Sequence, residues 1–331
     1  MTLERIAEQA GTSISTVSKA FSGSREISEY TRERIFAIAK EMGCFEKYCK
    51  RTSARPLIAL LFPEVESEYY ARVIGMLERE IAARGGDAVV AFTHFDKQDT
   101  ARLFSELAYR TKADGVILAG SGMLIKNPDE IPLVSYSSGE DRPMNADKVT
   151  VDMKGGIHEL VGLIRDYGYR RVGFIGERLT GGTLLSLKEA MRSLGLPVYQ
   201  KYIVETDARF TDAGAQGFEA LMRRGELPEV IVAAYDYIAY GAMKQARLRG
   251  YRIPEDVSFV GIDDLSTAEY VETPLTSLHT HFEEVAKTLV DLVFKRIENR
   301  HHRESREILI PVSIRLRSSL CKASEQARRE G

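Results

Sequence analysis

The sequence has few cysteines, no low-complexity tract and no apolar run near the ~20 residues that a membrane-spanning helix needs. Cys44, Cys49 and Cys321 follow no Cys-x-x-Cys spacing, which argues against a disulfide framework and fits a reducing compartment. The first residues lack the basic start and the apolar stretch of a signal peptide. We therefore expect a cytoplasmic protein with no membrane partner.

Sequence motifs of common enzymes and nucleotide-binding proteins are also missing. Residues 120–122, Gly-Ser-Gly, lack the third glycine of a dinucleotide loop, and no Gly-x-x-x-x-Gly-Lys-Ser/Thr stretch occurs. Ser121 is not in a Gly-x-Ser-x-Gly elbow, and the six histidines give no catalytic-triad order. His279, His281 and the pair at 301–302 lack the further ligands that a metal would need. We expect no enzymatic activity, no cofactor and no metal.

The length and the distribution of charge indicate more than one domain. The chain has 331 residues, more than one hydrophobic core usually serves, and its 44% hydrophobic and 28% charged residues are typical of a globular protein. Residues 1–55 hold ten basic and seven acidic side chains, a balance of +3, so that the overall charge of −2 leaves −5 for the remainder. A small basic region joined to an acidic body is typical of a nucleic-acid binder with a sensing domain.

The first 43 residues predict three short helices. Apolar residues from Leu3 to Ala10 have helical spacing, and Gly11 ends this helix. Ser13 is a good N-cap for a second helix at 14–21, and Ser28 caps a third that ends at Gly43. A helix, a glycine-containing turn and a second helix predict a helix-turn-helix.

From Leu57 onward, apolar runs alternate with amphipathic stretches, which predicts parallel strands joined by helices in two open α/β sheets. The predicted strands are 57–62, 88–92, 115–119, 133–136, 149–152, 171–175, 230–234, 258–262 and 308–316. The longest predicted helices are 69–84, 154–167, 212–224, 236–249 and 282–299. Ligands of such sheets bind at the carboxyl ends of strands, so we expect a ligand cleft between the two halves.

Several ordered motifs resemble those of one family. Residues 2–7, 10–19 and 27–34 strongly resemble the DNA-binding domain of the lactose-repressor/galactose-repressor (LacI/GalR) family of transcriptional regulators. The body carries similar effector-domain motifs at 171–176, 233–239, 253–264 and 274–277. The resemblance therefore extends from residue 2 to about residue 320.

The resemblance implies the fold, the domains and the partners. It implies an all-α helix-turn-helix domain at 1–49, a basic hinge at 50–56, an α/β periplasmic-binding-protein-like core at 57–320 and a polar tail at 321–331. The core would consist of two doubly wound subdomains, 57–152 with 281–305 and 153–280 with 306–320. Members are homodimers or tetramers, so we expect a pseudo-palindromic DNA operator and a small-molecule effector, such as a sugar, as partners.

The same resemblance selects candidate DNA-binding residues. Ile14, Ser15 and Lys19 occupy base-reading positions at the start of the second helix, although relatives usually carry Arg in place of Lys19. Candidates for contacts to phosphate or to the minor groove are Ser13, Thr16, Ser22, Arg25, Tyr48, Lys50 and Arg51. Relatives insert a hinge Leu between base pairs, but Ser53 falls near that spacing here, which leaves Tyr48 as a candidate wedge. Because the basic residues of this segment can hold the phosphates without any wedge, we expect shallow bending of the operator.

Candidate effector-binding residues lie at predicted strand ends. They are Tyr69, Ser121, Asp152, Thr183, Phe210, Tyr235, Asp236 and Asp263. Asp263 is the expected polar anchor because a carboxylate accepts two hydroxyl hydrogen bonds, and Phe210, Tyr235, Tyr69 or Tyr70 would stack on a sugar face or pack between subdomains. Thr183 stands where relatives place an Arg, so we expect weak binding of anions.

Two alternatives remain open at this stage. A plain solute-binding protein would share the fold of the body, although residues 1–49 argue against it. A regulator controlled by a protein partner is consistent with the changed pocket residues Thr183 and Tyr235.

Overall fold

The computed structural model describes residues 3–21, 24, 26–48, 55–127, 131–137, 143, 145–299 and 304–322. The chain divides into two compact units, Met1–Leu57 with Gly85–Asp87, and Ile58–Arg84 with Ala88–Gly331. Within the described ranges, every helix is too short or too polar to cross a membrane.

The described residues of the first unit form four helices. They are α1 (Leu3–Gln9), α2 (Ile14–Phe21), α3 (Glu29–Glu41) and α4 (Phe45–Tyr48). Gly11 and Gly43 have positive φ angles of 59° and 62°, which lets the chain turn after α1 and α3 at little steric cost. Ile6, Val17 and Ile35, one from each of the first three helices, are fully buried. The predicted helix-turn-helix is confirmed, and the bounds of α2 agree with the prediction.

The second unit alternates strands and helices. Its strands are β1 (Leu57–Phe62), β2 (Asp87–Phe92), β3 (Gly115–Ala119), β4 (Leu133–Tyr136), β5 (Asp147–Val151), β6 (Val172–Glu177), β7 (Ile203–Thr206), β8 (Val230–Ala233), β9 (Ser258–Asp263), β10 (Thr276–His279), β11 (Glu307–Ile310) and β12 (Ser313–Arg315). Its helices are α5 (Glu68–Ala83), α6 (Lys97–Ser105), α7 (Met153–Asp166), α8 (Gly181–Ser193), α9 (Phe210–Arg223), α10 (Asp236–Leu248) and α11 (Phe282–Glu298). A π-helical turn, Glu106–Arg110, follows α6.

The strands form two six-stranded sheets, one in each subdomain. The sheet of the first subdomain has the order β11-β5-β4-β3-β1-β2, and that of the second has β12-β10-β9-β8-β6-β7. Neighbouring strands are parallel: in the β1–β3 pair Ile58 lies opposite Gly115, and in the β6–β8 pair Val172 lies opposite Val230. The exception is β12, which runs antiparallel to β10. Helices cover the sheets, which is why β1, β3 and β8 are apolar runs buried on both faces. The predicted class, two doubly wound α/β subdomains, is confirmed.

The prediction of a single strand at 308–316 is wrong, because this segment forms two strands, β11 and β12, which belong to different sheets. β11 pairs with β5 of the first sheet, and β12 pairs with β10 of the second. Pro311 separates them and has no N–H for a strand ladder. Of the predicted second-subdomain segment 306–320, β11 therefore belongs to the first subdomain.

Two short strands, β7 and β10, were absent from the prediction. β10 begins with Thr276 and Ser277, which are fully buried although polar. Their hydroxyls donate to the carbonyl of Arg317 and to the carboxylate of Asp236, so that burial leaves neither hydroxyl unsatisfied. An apolar run is the signal of a buried strand, and this strand does not have one.

Candidate ligand-binding cleft and DNA-binding face

The N-terminal end of α2 presents an exposed face. The Thr16 N–H donates to the Ser13 Oγ at 3.0 Å, which caps the helix as predicted. Val17 is buried against the helical core, whereas Ile14 is 47% exposed and Ser15 is exposed. The predicted base-reading side chains therefore lie on the solvent side of the recognition helix.

Lys19, at the far end of this face, forms an ion pair that sequence reasoning missed. Its Nζ donates to Glu26 Oε2 at 2.5 Å, and the two side chains are 45% and 69% exposed. The hydrogen bond and charge of Lys19 lower the pKa of the Glu26 carboxyl. The only sequence signal was opposite charges seven residues apart, across a turn whose geometry the sequence does not specify.

Tyr48, the candidate wedge, packs within the helical unit. Its ring centroid lies 5.9 Å from that of Phe21, and Phe45 and Phe36 extend this aromatic cluster. Aromatic pairs at such distances stabilise a core, so the structure gives Tyr48 a packing role. Ser22, Arg25, Lys50 and Arg51, with most of the hinge at 50–56, lie outside the described residues.

A cavity of about 400 Å³ lies between the two subdomains. It is lined by the ends of strands from both sheets and by the first residues of the helices that follow, as expected for α/β folds. Six predicted effector-binding residues line it: Tyr69, Ser121, Thr183, Phe210, Tyr235 and Asp263. The structure thus brings together residues that span almost two hundred positions of sequence.

Asp152 and Asp236 are not among the lining residues, which corrects two of the predicted positions. The Asp152 Oδ1 accepts the Gly155 N–H at 2.9 Å and caps α7. Asp236 is fully buried, where its carboxylate accepts the Ser277 hydroxyl at 2.6 Å and the Leu265 N–H at 2.7 Å. Burial raises the pKa of Asp236 to about 7. Both carboxylates therefore already accept hydrogen bonds from donors within the protein.

Asp263 and Phe210 combine cavity positions with unusual backbone angles. Their φ angles are 102° and 55°, in a region that side chains other than glycine rarely adopt and that costs about 1–3 kcal/mol each. Burial, and then the nearby Asp236 carboxylate, raise the pKa of Asp263 well above its usual value. Strained residues cluster at binding sites, and these two fit that pattern.

Aromatic side chains form two walls of the cavity. The rings of Tyr69 and Tyr136 stack with centroids 6.5 Å apart, and their hydroxyls form a hydrogen bond. On the opposite wall, the Phe210 N–H donates to the Tyr235 hydroxyl at 3.0 Å, and these rings are 6.1 Å apart. Burial raises the pKa of Tyr69 and Tyr136, so their hydroxyls stay neutral. The walls offer ring faces together with neutral hydroxyl groups.

An arginine that was not among the predicted effector-binding residues also lines the cavity. Arg209 precedes α9, and its two terminal nitrogens donate to both oxygens of Glu64 at 2.6 and 2.9 Å. Its Nε donates to Glu177 at 3.3 Å. The Glu64 and Glu177 side chains are only 9% and 4% exposed, and Arg209 is 33% exposed. The hydrogen bonds to Glu64 are the main cause that raises the pKa of Arg209.

The guanidinium of Arg209 is also held between two rings. It lies 4.5 Å from the Phe210 centroid and 5.6 Å from that of Phe95. Glu64 and Phe95 belong to the first subdomain and the other partners to the second, so these contacts connect the two walls of the cleft. The signal that was missed is position, since Glu64, Glu177 and Arg209 all lie just after or at the end of strands.

A second connection between the subdomains lies beside the cavity. Glu68, at the start of α5, accepts hydrogen bonds from the Tyr237 hydroxyl at 3.1 Å and the Ser266 hydroxyl at 2.8 Å. Both donors belong to the second subdomain. Among the described residues, no group of three or more His, Cys, Asp or Glu side chains has a geometry that could hold a metal ion.

Comparisons with known proteins agree with this architecture. Residues 2–44 match the lacI family of bacterial regulatory proteins, and residues 161–320 match the periplasmic binding protein-like domain. The HTH-type transcriptional regulator DegA of Bacillus subtilis is 27% identical over 304 residues, which cover 86% of this chain and 88% of DegA.

Two solved structures are similar over nearly the whole chain. The complex of the transcriptional regulator CelR with cellobiose has a TM-score of 0.68 at 25% identity, covering 97% of this chain and 100% of CelR. The lac repressor dimer bound to operator and the anti-inducer ONPF has a TM-score of 0.73 at 19% identity, covering 96% of this chain and 98% of that one.

A helix-turn-helix unit followed by two α/β subdomains around a cavity defines a ligand-responsive DNA-binding regulator. The chain belongs to the LacI/GalR family of transcriptional regulators, as its motifs indicated.

Proposed function

We propose that the protein is a cytoplasmic repressor without enzymatic activity, which binds a pseudo-palindromic operator as a homodimer or as a tetramer. A small, uncharged polyhydroxylated metabolite in the cleft changes its operator affinity. The observation that carries this proposal is the presence, in one chain, of an exposed recognition-helix face and a cavity of about 400 Å³ between two subdomains. A ligand alters operator binding only if its affinity differs between the states that the subdomains adopt.

On the DNA side, the exposed face of α2 supports direct base reading. Lys19 donates to guanine O6 and N7, and Ile14 packs on a thymine methyl group. Ser15 can form a hydrogen bond with several different bases and so discriminates little among them. Ser13 and Thr16 contact phosphates, which fix the register without reading sequence. A lysine lacks the two-pronged fork of an arginine, so discrimination at the base that faces Lys19 is modest.

On the ligand side, the cavity has the groups that a polyol needs. Asp263 is half-buried, and its carboxyl group offers two oxygens to ligand hydroxyls. Tyr69, Phe210 and Tyr235 offer ring faces for the apolar side of a sugar or for a base. The relative CelR forms a complex with cellobiose, which is consistent with a ligand of this class.

Operator binding in the presence of candidate ligands tests the proposal. A fluorescent operator is titrated with the full chain in the presence of uncharged sugars and nucleosides, and then with the Asp263→Asn variant. We expect at least one compound to change operator affinity in the wild type and to lose its effect in Asp263→Asn, while ligand-free operator binding persists. Asp207→Asn is the matched control because the Asp207 side chain is 93% exposed.

The outcomes separate this proposal from its alternatives. If no small molecule changes operator affinity and a purified protein does, a protein partner controls the regulator. If Asp263→Asn responds at the same ligand concentration as wild type, the effector binds elsewhere. If no operator is bound, the chain acts as a solute-binding protein.

A further inference from the structure

The cavity wall contains more acidic than basic side chains, and its arginine is paired with two glutamates. Among the described residues that line it, Arg209 is the one basic side chain, against the carboxyl groups of Glu64, Glu177 and Asp263. Even with Asp263 protonated, one guanidinium faces two carboxylates, so these described side chains carry one net negative charge. The cavity is therefore electrostatically unfavourable for an anion although it contains an arginine.

The partners of Arg209 occupy the atoms that an anionic ligand would use. A guanidinium binds carboxylates and phosphates through a planar fork of parallel N–H groups. Glu64 takes both terminal nitrogens of that fork at 2.6 and 2.9 Å, and Glu177 takes the Nε. A ligand phosphate that binds through two parallel N–H groups would have to displace Glu64 or Glu177 from its hydrogen bond and leave that carboxylate buried without its cation, which is strongly unfavourable.

We propose that Glu64 and Glu177 neutralise the charge of Arg209 and occupy its hydrogen-bond donors, so that the cleft accepts uncharged ligands and excludes anions. The three side chains are specificity-determining residues, and the selectivity arises from repulsion and occupied donors as much as from attraction. The proposal rests on the cleft being the effector site proposed above. It also predicts that the arginine becomes an anion receptor once its carboxylate partners lose their charge.

Binding of inorganic phosphate to the full chain tests this prediction without knowledge of the effector. Phosphate is titrated by calorimetry at constant ionic strength against wild type, the Glu64→Gln/Glu177→Gln variant, and a triple variant that adds Arg209→Gln. We expect the double variant to bind phosphate at least about tenfold more tightly than wild type, because charge-assisted hydrogen bonds from a released fork are strong. We expect the triple variant to lose this gain.

A matched control tests whether any released cation gives the same effect. Glu226 pairs with Lys201 at 2.9 Å and with Arg171 at 3.6 Å on an exposed surface, so Glu226→Gln removes a carboxylate partner of Lys201 and one of the two carboxylate partners of Arg171, outside the cavity. This variant should bind phosphate as wild type does. The proposal is wrong if the double variant gains no phosphate affinity, or if the gain persists after Arg209→Gln.

Folding and the proposed function are checked separately. A cooperative urea transition of the second unit, which contains both substitutions, shows that the double variant is folded. If it is not folded, Glu64→Gln alone releases the fork and provides the same test. A wild-type protein that responds to no uncharged ligand, combined with a phosphate gain in the double variant, would contradict the effector proposal and support the role of Arg209. If the wild type responds to an uncharged ligand but the double variant gains no phosphate affinity, the effector proposal is supported and the proposed role of Arg209 is wrong.

Discussion

The DNA-binding face and the cleft each contain a basic side chain paired with glutamate, and the two pairs differ in exposure. Lys19 and Glu26 are 45% and 69% exposed, and their ion pair is open to water. Arg209 is paired with two glutamates that are at most 9% exposed and lies between two rings. An exposed pair contributes about 0–1 kcal/mol, whereas removing one partner of a buried pair costs about 3–5 kcal/mol.

The difference in exposure determines how easily each basic side chain can exchange its glutamate partner for a ligand. Lys19 can exchange Glu26 for a guanine at little cost, because water already solvates both side chains. Arg209 cannot exchange Glu64 for a ligand so easily, because the carboxylate left behind would be buried. The first arrangement suits binding to varied DNA sequences, and the second suits exclusion of ligands with the wrong charge.

The largest expected effect is on stability when the cleft pair is broken. Arg209→Met removes the cation and leaves Glu64 and Glu177 buried without it, so we expect the free energy of unfolding of the second unit to fall by about 3 kcal/mol. Urea denaturation, with the transition of each unit followed separately, measures this loss. Arg178→Met is the control, since Arg178 and its distant partner Asp207 are 83% and 93% exposed. Equal effects of the two variants would break the comparison.

The next effect is on operator recognition. Lys19→Ala should lose about 1–3 kcal/mol of operator affinity per half-site and relax selectivity at one base position, while the unfolding free energy changes little. Binding to a set of operators with single base changes measures both quantities. A uniform loss across all operators would show that Lys19 contacts phosphate only.

A pH-dependent effect tests the buried carboxyl group of Asp236, which lies outside the cavity lining. The raised pKa of Asp236, about 7, means that the folded protein binds more protons than the unfolded chain between about pH 4 and pH 7. Its contribution therefore lowers stability as pH rises through that range, by up to about 1.4 kcal/mol per pH unit. Asp236→Asn should flatten the pH profile of the unfolding free energy. An unchanged profile would show that Asp236 does not titrate there.

The smallest expected effect concerns the partner of Lys19. Glu26→Gln removes the 2.5 Å ion pair and one negative charge near the recognition helix, so operator affinity should rise a few-fold, equivalent to about 0.5–1 kcal/mol. In a Lys19→Ala background the same substitution should have a smaller effect, because the two residues are coupled. Equal gains in both backgrounds would mean that Glu26 acts independently of Lys19.

The elements that the sequence predicts well are those set by neighbouring residues. Helix α2 follows from the Ser13 cap and from the spacing of Val17 and Ala20, and these signals lie within one helix turn or two. The apolar strands β1 and β3 were found for the same reason. The strand β10 was missed because it is short and begins with polar residues that are satisfied by distant partners.

The composition of the cleft was only partly predictable. Family motifs located Asp263 and Tyr235, but the Arg209–Glu64 pair joins residues 145 positions apart. Such a pair depends on how the two subdomains face each other, and no local pattern encodes that relation. The absence of the family arginine at Thr183 could be read from the sequence, whereas the arginine supplied by another loop could not.

Two double-mutant cycles test the contrast between the pairs most directly. Lys19→Met with Glu26→Gln forms one cycle, and Arg209→Met with Glu64→Gln forms the other, each measured by urea denaturation at low and at high salt. We predict a coupling energy below about 1 kcal/mol that salt abolishes for the exposed pair, and a larger coupling energy that salt barely changes for the cleft pair. Coupling energies of equal size and equal salt dependence would contradict this account.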